Sequence, residues 1–204
     1  DWRGWTDDGA LSFDTPEGPT TLRPDAVVLA LGGASWPRLG ADGGWAPVLR
    51  ARGVPVAPFR PANAGFQVDW SAPFRERFAG TPLKGAALSF EGRTVKGEAL
   101  VSRYGLEGGA VYALSAPLRD AIERDGRAVL TVDLKPDLPA ERLAARLTGR
   151  KGESLANRLR KAGLAPVAAA LLREANAAPP ADPAALAEAL KAVRLTLTAS
   201  AGLE

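Results

Sequence analysis

The residues best placed to do chemistry in this chain are glycines. Leu29-Ala30-Leu31-Gly32-Gly33-Ala34-Ser35-Trp36-Pro37 leads into Arg38-Leu39-Gly40-Ala41-Asp42-Gly43-Gly44-Trp45. Glycine has no Cβ, so a glycine pair lets backbone approach a ligand closely. Residues 26–31 form a continuous apolar run of strand length, which suits a sheet covered on both faces. Gly32 and Gly33 then stand at its carboxyl end, where open α/β sheets bind their ligands. Gly40, Gly43 and Gly44 precede a short helix expected over 45–52, whose first N–H groups would face an anion. The same stretch also reads as a loop that only turns the chain. It is neither GxGxxG nor a P-loop, because no Lys-Ser or Lys-Thr follows it.

Other chemistry is excluded by composition. The 204 residues contain no Cys and no His, which removes disulfides, thiol catalysis, Ser-His-Asp triads, HExxH zinc sites and His-ligated haem. Methionine is also absent, and Asp1 opens the chain without a secretory pattern. We therefore expect an excised piece of a longer, cytoplasmic protein. Arg103 and Tyr104 are candidate catalytic or substrate-contacting residues, although a surface hairpin would use them as well. Glu107 and Lys84 have the same double reading. No pair of carboxylates stands at a spacing suited to independent acid/base work.

The elements that must position these residues fall into three textures. Short β-like pieces at 9–14 and 19–22 flank a turn at Thr15-Pro16-Glu17-Gly18 and read as a hairpin. From about residue 53 to 135 the pattern alternates with period two. Phe66, Val68 and Trp70 share one face, as do Ala86, Leu88 and Phe90, then Ala128, Leu130, Val132 and Leu134. This suggests a small antiparallel barrel or sandwich, interrupted by a helix over 116–124 capped by Ser115. From 136 to 192, leucines at helical spacing separated by Gly and Pro predict a compact helical bundle, with Asp182-Pro183 as a helix start. Val193, Leu195 and Leu197 then alternate with polar residues and return the chain to a strand.

Charge adds one alternative. Net charge is +3, and the basic surplus concentrates in Arg146, Arg150, Lys151, Arg158, Arg160 and Lys161. Such a cluster is either a solvated face or a phosphate-binding one, so an interaction module that binds nucleic acid stands beside an enzyme as a second reading. No apolar run approaches the ~20 residues needed to span a bilayer, so no membrane partner is expected.

The glycine stretch resembles a family signature. Ala30-Leu31-Gly32-Gly33-Ala34-Ser35-Trp36-Pro37, with Leu39-Gly40 and Asp42-Gly43, is similar to the Ala-Thr-Gly-Gly-x-Ser-Tyr-Pro, Gly-Ser-Thr-Gly-Asp-Gly-Tyr pattern of bacterial FAD-dependent oxidoreductases of the BaiN type, aminoacetone-oxidase-like flavoproteins. Arg60-Pro61-Ala62-Asn63, Pro82-Leu83-Lys84, Gly97-Glu98-Ala99-Leu100 and Tyr104-Gly105-Leu106-Glu107-Gly108 extend the likeness. Leu31 replaces the motif's threonine, and Ser102-Arg103-Tyr104-Gly105 stands where the family more often has Thr-His-Tyr-Gly.

The resemblance implies an α+β architecture: part of a Rossmann-like flavin domain at 1–52, an inserted antiparallel β-barrel at 53–135, a small helical bundle at 136–192, and a strand at 193–204 returning to the flavin domain. It implies FAD as cofactor, NAD(P)H as a candidate electron donor and a small-molecule substrate. It also implies that Gly32, Gly33, Ala34 and Ser35, then Gly40, Asp42 and Gly43, contact the cofactor. The family's opening GxGxxG segment and its closing segment are expected outside residues 1–204, leaving a central segment that is inactive alone.

Overall fold

A computed structural model describes residues 1–150, 152–176 and 178–201. Lys151 of the basic cluster and the last three residues of the expected closing strand lie outside them. The fold is α+β and divides into two compact units, residues 1–60 and residues 61–201.

The first unit is a three-stranded antiparallel sheet followed by loop and one helix. Strands β1 (Trp2–Trp5), β2 (Leu11–Thr15) and β3 (Gly18–Leu22) lie in that order. The expected hairpin is β2–β3, closed in register from Leu11 opposite Leu22 to Thr15 opposite Gly18. Strand β1 was not foreseen. Its Trp2 and Trp5 rings meet edge to face at 4.9 Å. A one-turn 3₁₀ helix (Pro37–Leu39) and α1 (Trp45–Ala51) complete the unit.

The expected buried strand over residues 26–31 does not form. Residues 26–33 join no ladder, and Val27, Val28 and Leu29 are exposed, Val28 to 90%. An all-apolar strand is stable only with strands on both sides and cover on both faces. Residues 1–60 supply neither: their buried apolar side chains are Ala10, Leu11 and Ala46.

The second unit is built on a six-stranded antiparallel sheet of order β4-β7-β6-β5-β8-β9. In chain order it contains β4 (Phe66–Gln67), α2 (Ala72–Phe78), β5 (Thr81–Phe90), β6 (Arg93–Val101), β7 (Gly105–Glu107), α3 (Gly109–Tyr112), α4 (Ser115–Asp125) and β8 (Ala128–Asp133). The helices α5 (Ala140–Leu147), α6 (Leu155–Lys161), α7 (Pro166–Ala175) and α8 (Pro183–Lys191) follow, and β9 (Val193–Leu197) ends it. The turn between β5 and β6 is the tight one expected at Glu91-Gly92. Both residues have positive φ, 45° and 78°, as a two-residue turn matched to strand twist requires. The alternating sets are inward as read: Ala86, Leu88, Ala128, Leu130, Val132 and Leu134 are all buried.

The end of the chain corrects the expected layout. The strand at 193–197 exists, but it pairs with β8, from Ala128 opposite Leu197 to Val132 opposite Val193. The residues after it close the sheet on itself. Thr198 N–H donates to Gln67 O at 3.1 Å, Gln67 N–H to Ala199 O at 2.8 Å, and Ala201 N–H to Gly65 O at 2.8 Å. The apolar face of β9 is complementary to the barrel interior, and its backbone supplies the ladder that β8 would otherwise lack. The two compact units divide at 60/61.

Two helices inside the β-rich region, α2 and α3, were not legible because each is shorter than about two turns of apolar period. The helix read at 116–124 runs Ser115–Asp125, but Ser115 is not its cap: Leu114 holds that position with no side-chain bond. The four helices α5 to α8 run from Ala140 to Lys191, and Asp182 caps α8 by accepting the Ala185 N–H at 2.8 Å. Its leucines Leu143, Leu147, Leu159, Leu171, Leu186 and Leu190 are fully buried and share one hydrophobic core with the sheet.

Candidate functional site

Within the glycine-rich stretch, most residue choices have a local structural explanation. Trp36 and Ala41 exchange backbone hydrogen bonds at 3.2 and 3.1 Å, pinching the segment into a small loop. Gly40 closes the 3₁₀ turn with φ of 86°, its N–H donating to Pro37 O at 3.0 Å. Asp42 accepts the Gly44 N–H at 2.9 Å through Oδ1. Gly43 is buried under the Phe59 ring, where a Cβ would come within 2.6 Å of a ring carbon. Phe59 also meets Trp45 edge to face at 5.5 Å. Sequence reading missed Phe59; its isolation in a proline-rich run (Pro55, Pro58, Pro61) was the available signal.

Gly33 differs from these. Gly32 has φ of 70° with nothing within 4 Å of a would-be Cβ, and the nearest atom to a Cβ on Gly33 would be Ser35 Oγ at 3.8 Å. The left-handed φ of Gly32 itself favours glycine, whereas nothing in the unit calls for the missing side chain at Gly33. The Gly32 carbonyl is nonetheless fixed, accepting the Trp45 indole N–H at 3.2 Å. Beside it lies an open groove of about 480 Å³ lined by Leu29, Ala30, Leu31, Gly32, Trp45 and Leu49. Ala34 is half-buried and Ser35 exposed. This arrangement fits one wall of a dinucleotide site: open glycine backbone, an immobilised carbonyl and an adjoining apolar surface.

The helix expected to present N–H groups to an anion has most of its first donors engaged or absent. Asp42 takes the Gly44 N–H, the Ala46 N–H donates to Gly43 O at 3.0 Å, and Pro47 has none to give. With those donors spent, a seven-residue helix has little positive terminus left.

In the barrel unit, Arg103 and Tyr104 lie on the turn between β6 and β7, both exposed. The turn is held by Ser102 N–H to Gly105 O at 2.8 Å and Gly105 N–H to Ser102 Oγ at 3.2 Å. A side chain at 105 would strike Phe66 O at 1.9 Å, so glycine is what permits β4 and β7 to meet. The Tyr104 hydroxyl donates to Glu107 Oε2 at 2.6 Å. Partial burial, and then the Glu107 carboxylate as acceptor and neighbouring charge, push the phenol up to about 12 from its ordinary 10. Tyr104 is thus a neutral hydrogen-bond donor on an ordered turn. Lys84 is exposed on β5.

Two of the described residues of the basic cluster, Arg158 and Lys161, are engaged within the helical region. Arg158 turns back into the bundle, donating through Nε to Leu147 O at 2.6 Å and through a terminal nitrogen to Ala181 O at 3.1 Å. Lys161 is ion-paired with Glu153, whose carboxyl is held below its usual range by that bond. No helix among the described residues is long and apolar enough to cross a membrane, and no group of three metal-ligating side chains occurs among them.

A curled antiparallel barrel sheet with an appended helical region, joined in one chain to a glycine-rich loop unit, defines a barrel-and-helix class of fold. Residues 60–204 match the family described as HI0933-like protein barrel and H2TH domain, and the chain belongs to that family. The family is associated with flavoprotein oxidoreductases. No curated protein matches the chain.

Proposed function

We propose that this chain is the central segment of a BaiN-type, aminoacetone-oxidase-like oxidoreductase that uses FAD on a small-molecule substrate. The observation that carries this reading is the contrast within the loop: Gly32, Gly40 and Gly43 are accounted for by left-handed backbone or packing, whereas Gly33 is open backbone with no such demand, next in sequence to the Gly32 that lines an apolar groove.

In this reading Gly32 and Gly33 approach the cofactor, Ala34 and Ser35 line it, and Gly40, Asp42 and Gly43 set the shape of the loop. Leu29, Leu31, Trp45 and Leu49 exclude water from the apolar side. When bound, the flavin supplies the redox chemistry, and the protein supplies orientation and polarity. Arg103 and Tyr104 are the groups the barrel unit offers a substrate: a cation, and a phenol kept protonated by partial burial and by Glu107. NAD(P)H as electron donor and a cytoplasmic location belong to the same proposal.

The test is flavin content. The parent polypeptide that carries residues 1–204 should purify with stoichiometric flavin absorbance, and the isolated chain should be colourless. A colourless parent that cannot be reconstituted with FAD would overturn the proposal.

A further inference from the structure

The helices α2, α6 and α7 enclose a cleft of about 440 Å³ that shares no residue with the glycine-rich segment. Phe78 and Leu164 are buried in its floor, and Ala169 and Ala170 of α7 are half-buried there. Helix α7 packs against both α2 and α6. Its alanines are too small to fill the space between them, so the opening follows from the sequence of α7. Ala156 and Pro166 complete the apolar lining.

Around this apolar floor stand Arg77, Arg160 and Arg173, one from each helix and all exposed. Among the described residues no carboxylate neutralises their charge. Glu174, beside Arg173 in sequence, is committed to α2: both its oxygens accept from Ser71, from the backbone N–H at 2.9 Å and from the hydroxyl at 2.7 Å. Glu153, on the α6 side, is committed to Lys161. Glu76 directly precedes Arg77, and adjacent residues on a helix do not face each other. Arg160 reaches only the Asn157 side-chain oxygen, at 3.5 Å, and Arg77 lies over the Phe78 ring at 5.3 Å. Among the described residues none of the three has a carboxylate partner.

An apolar pocket of small-ligand size with an unneutralised guanidinium rim is complementary to a molecule with an apolar body and an anionic head. We propose that the α2–α6–α7 cleft binds a small amphipathic carboxylate of the acyl or aryl type, its apolar part on Phe78, Leu164 and Ala170 and its carboxylate on the arginine rim. The volume is that of a single small molecule enclosed by three helices, which sets this ligand apart from a flat lipid surface.

Calorimetric titration of the whole chain with octanoate, with the neutral analogue octanol and with inorganic phosphate tests this. Octanoate should bind at one saturable site, at least ~10-fold more tightly than octanol, and weaken as salt rises; phosphate alone should neither bind nor compete. Arg160→Gln and Arg173→Gln, both exposed and without a carboxylate partner among the described residues, should each weaken octanoate about tenfold while leaving circular dichroism and thermal midpoint unchanged. Equal affinity for octanoate and octanol overturns the proposal, as does unchanged affinity in both arginine variants. Association with phosphatidylglycerol vesicles in the absence of any binding of monomeric octanoate overturns it too.

Discussion

Ser115 Oγ holds both backbone polar groups of Ala64, accepting its N–H at 3.1 Å and donating to its carbonyl at 3.0 Å. The two residues are 51 apart in sequence, and Ser115 is completely buried. This one hydroxyl ties the entry of the barrel unit, just before β4, to the first turn of α4.

Replacing Ser115 with Ala leaves two buried backbone groups without a partner, and such groups are expensive in the low-dielectric interior. Ser115→Ala should destabilise the unit by about 1–3 kcal/mol. The denaturant midpoint should fall with no change in slope; an unchanged midpoint would show that water or a backbone shift replaces the hydroxyl.

Lys191, at the end of α8, acts as a second tie. Its ammonium donates to Asp133 Oδ2 at 2.7 Å and to the carbonyls of Lys135 and Leu138, each at 3.0 Å. Three partly sheltered bonds should make Lys191→Met cost about 1–3 kcal/mol, more than a surface ion pair is worth. Lys96→Met, which breaks only the exposed pair with Asp137, serves as the control and should shift thermal stability little.

The Tyr104–Glu107 bond gives a pH signature. The folded phenol is raised to about 12 against an ordinary 10, so the native state retains a proton that the unfolded chain loses first. Its contribution is complete below pH 10 and declines as pH climbs toward 12. In a Tyr112→Phe background, phenolate absorbance reads Tyr104 alone. Glu107→Gln should bring its midpoint back toward 10; a midpoint unmoved by that change would assign the shift wholly to burial.

Gly33→Val separates cofactor space from folding. A Cβ there meets only Ser35 Oγ at ordinary contact distance, and Gly33 does not have the positive φ of Gly32. In the flavin-loaded parent this variant should keep its thermal stability as apoprotein yet lose most of its flavin. Full retention of flavin would remove the proposed contact.

The barrel unit should fold without residues 1–60, provided its last strand is kept. A chain of residues 61–201 should unfold in one cooperative transition. Ending it at residue 192 deletes the β9 ladder to β8 and the bonds from 198–201 to Gly65 and Gln67, and should leave it without one.

By itself, the sequence determined the local periods and therefore most of the elements. Alternation placed Leu88, Leu130 and Val132 inside, Asp182-Pro183 started α8, and Glu91-Gly92 turned β5 into β6, because each is decided by a few adjacent residues. The loop's glycines and the Arg103-Tyr104 pair were legible as candidates for the same reason. Only the tertiary structure decided what depends on distant partners. Ser115 looked like a cap and is a buried tie to Ala64; residues 26–31 looked like a core strand and find no strand beside them among the described residues. The alternating strand at 193–197 seemed to leave the barrel and instead completes it, since period two says which face is apolar but not which neighbouring edge will accept its hydrogen bonds. Within the glycine loop, the same physics separated Gly32, Gly40 and Gly43, which left-handed backbone and the Phe59 ring explain, from Gly33, whose bare backbone has no such local use.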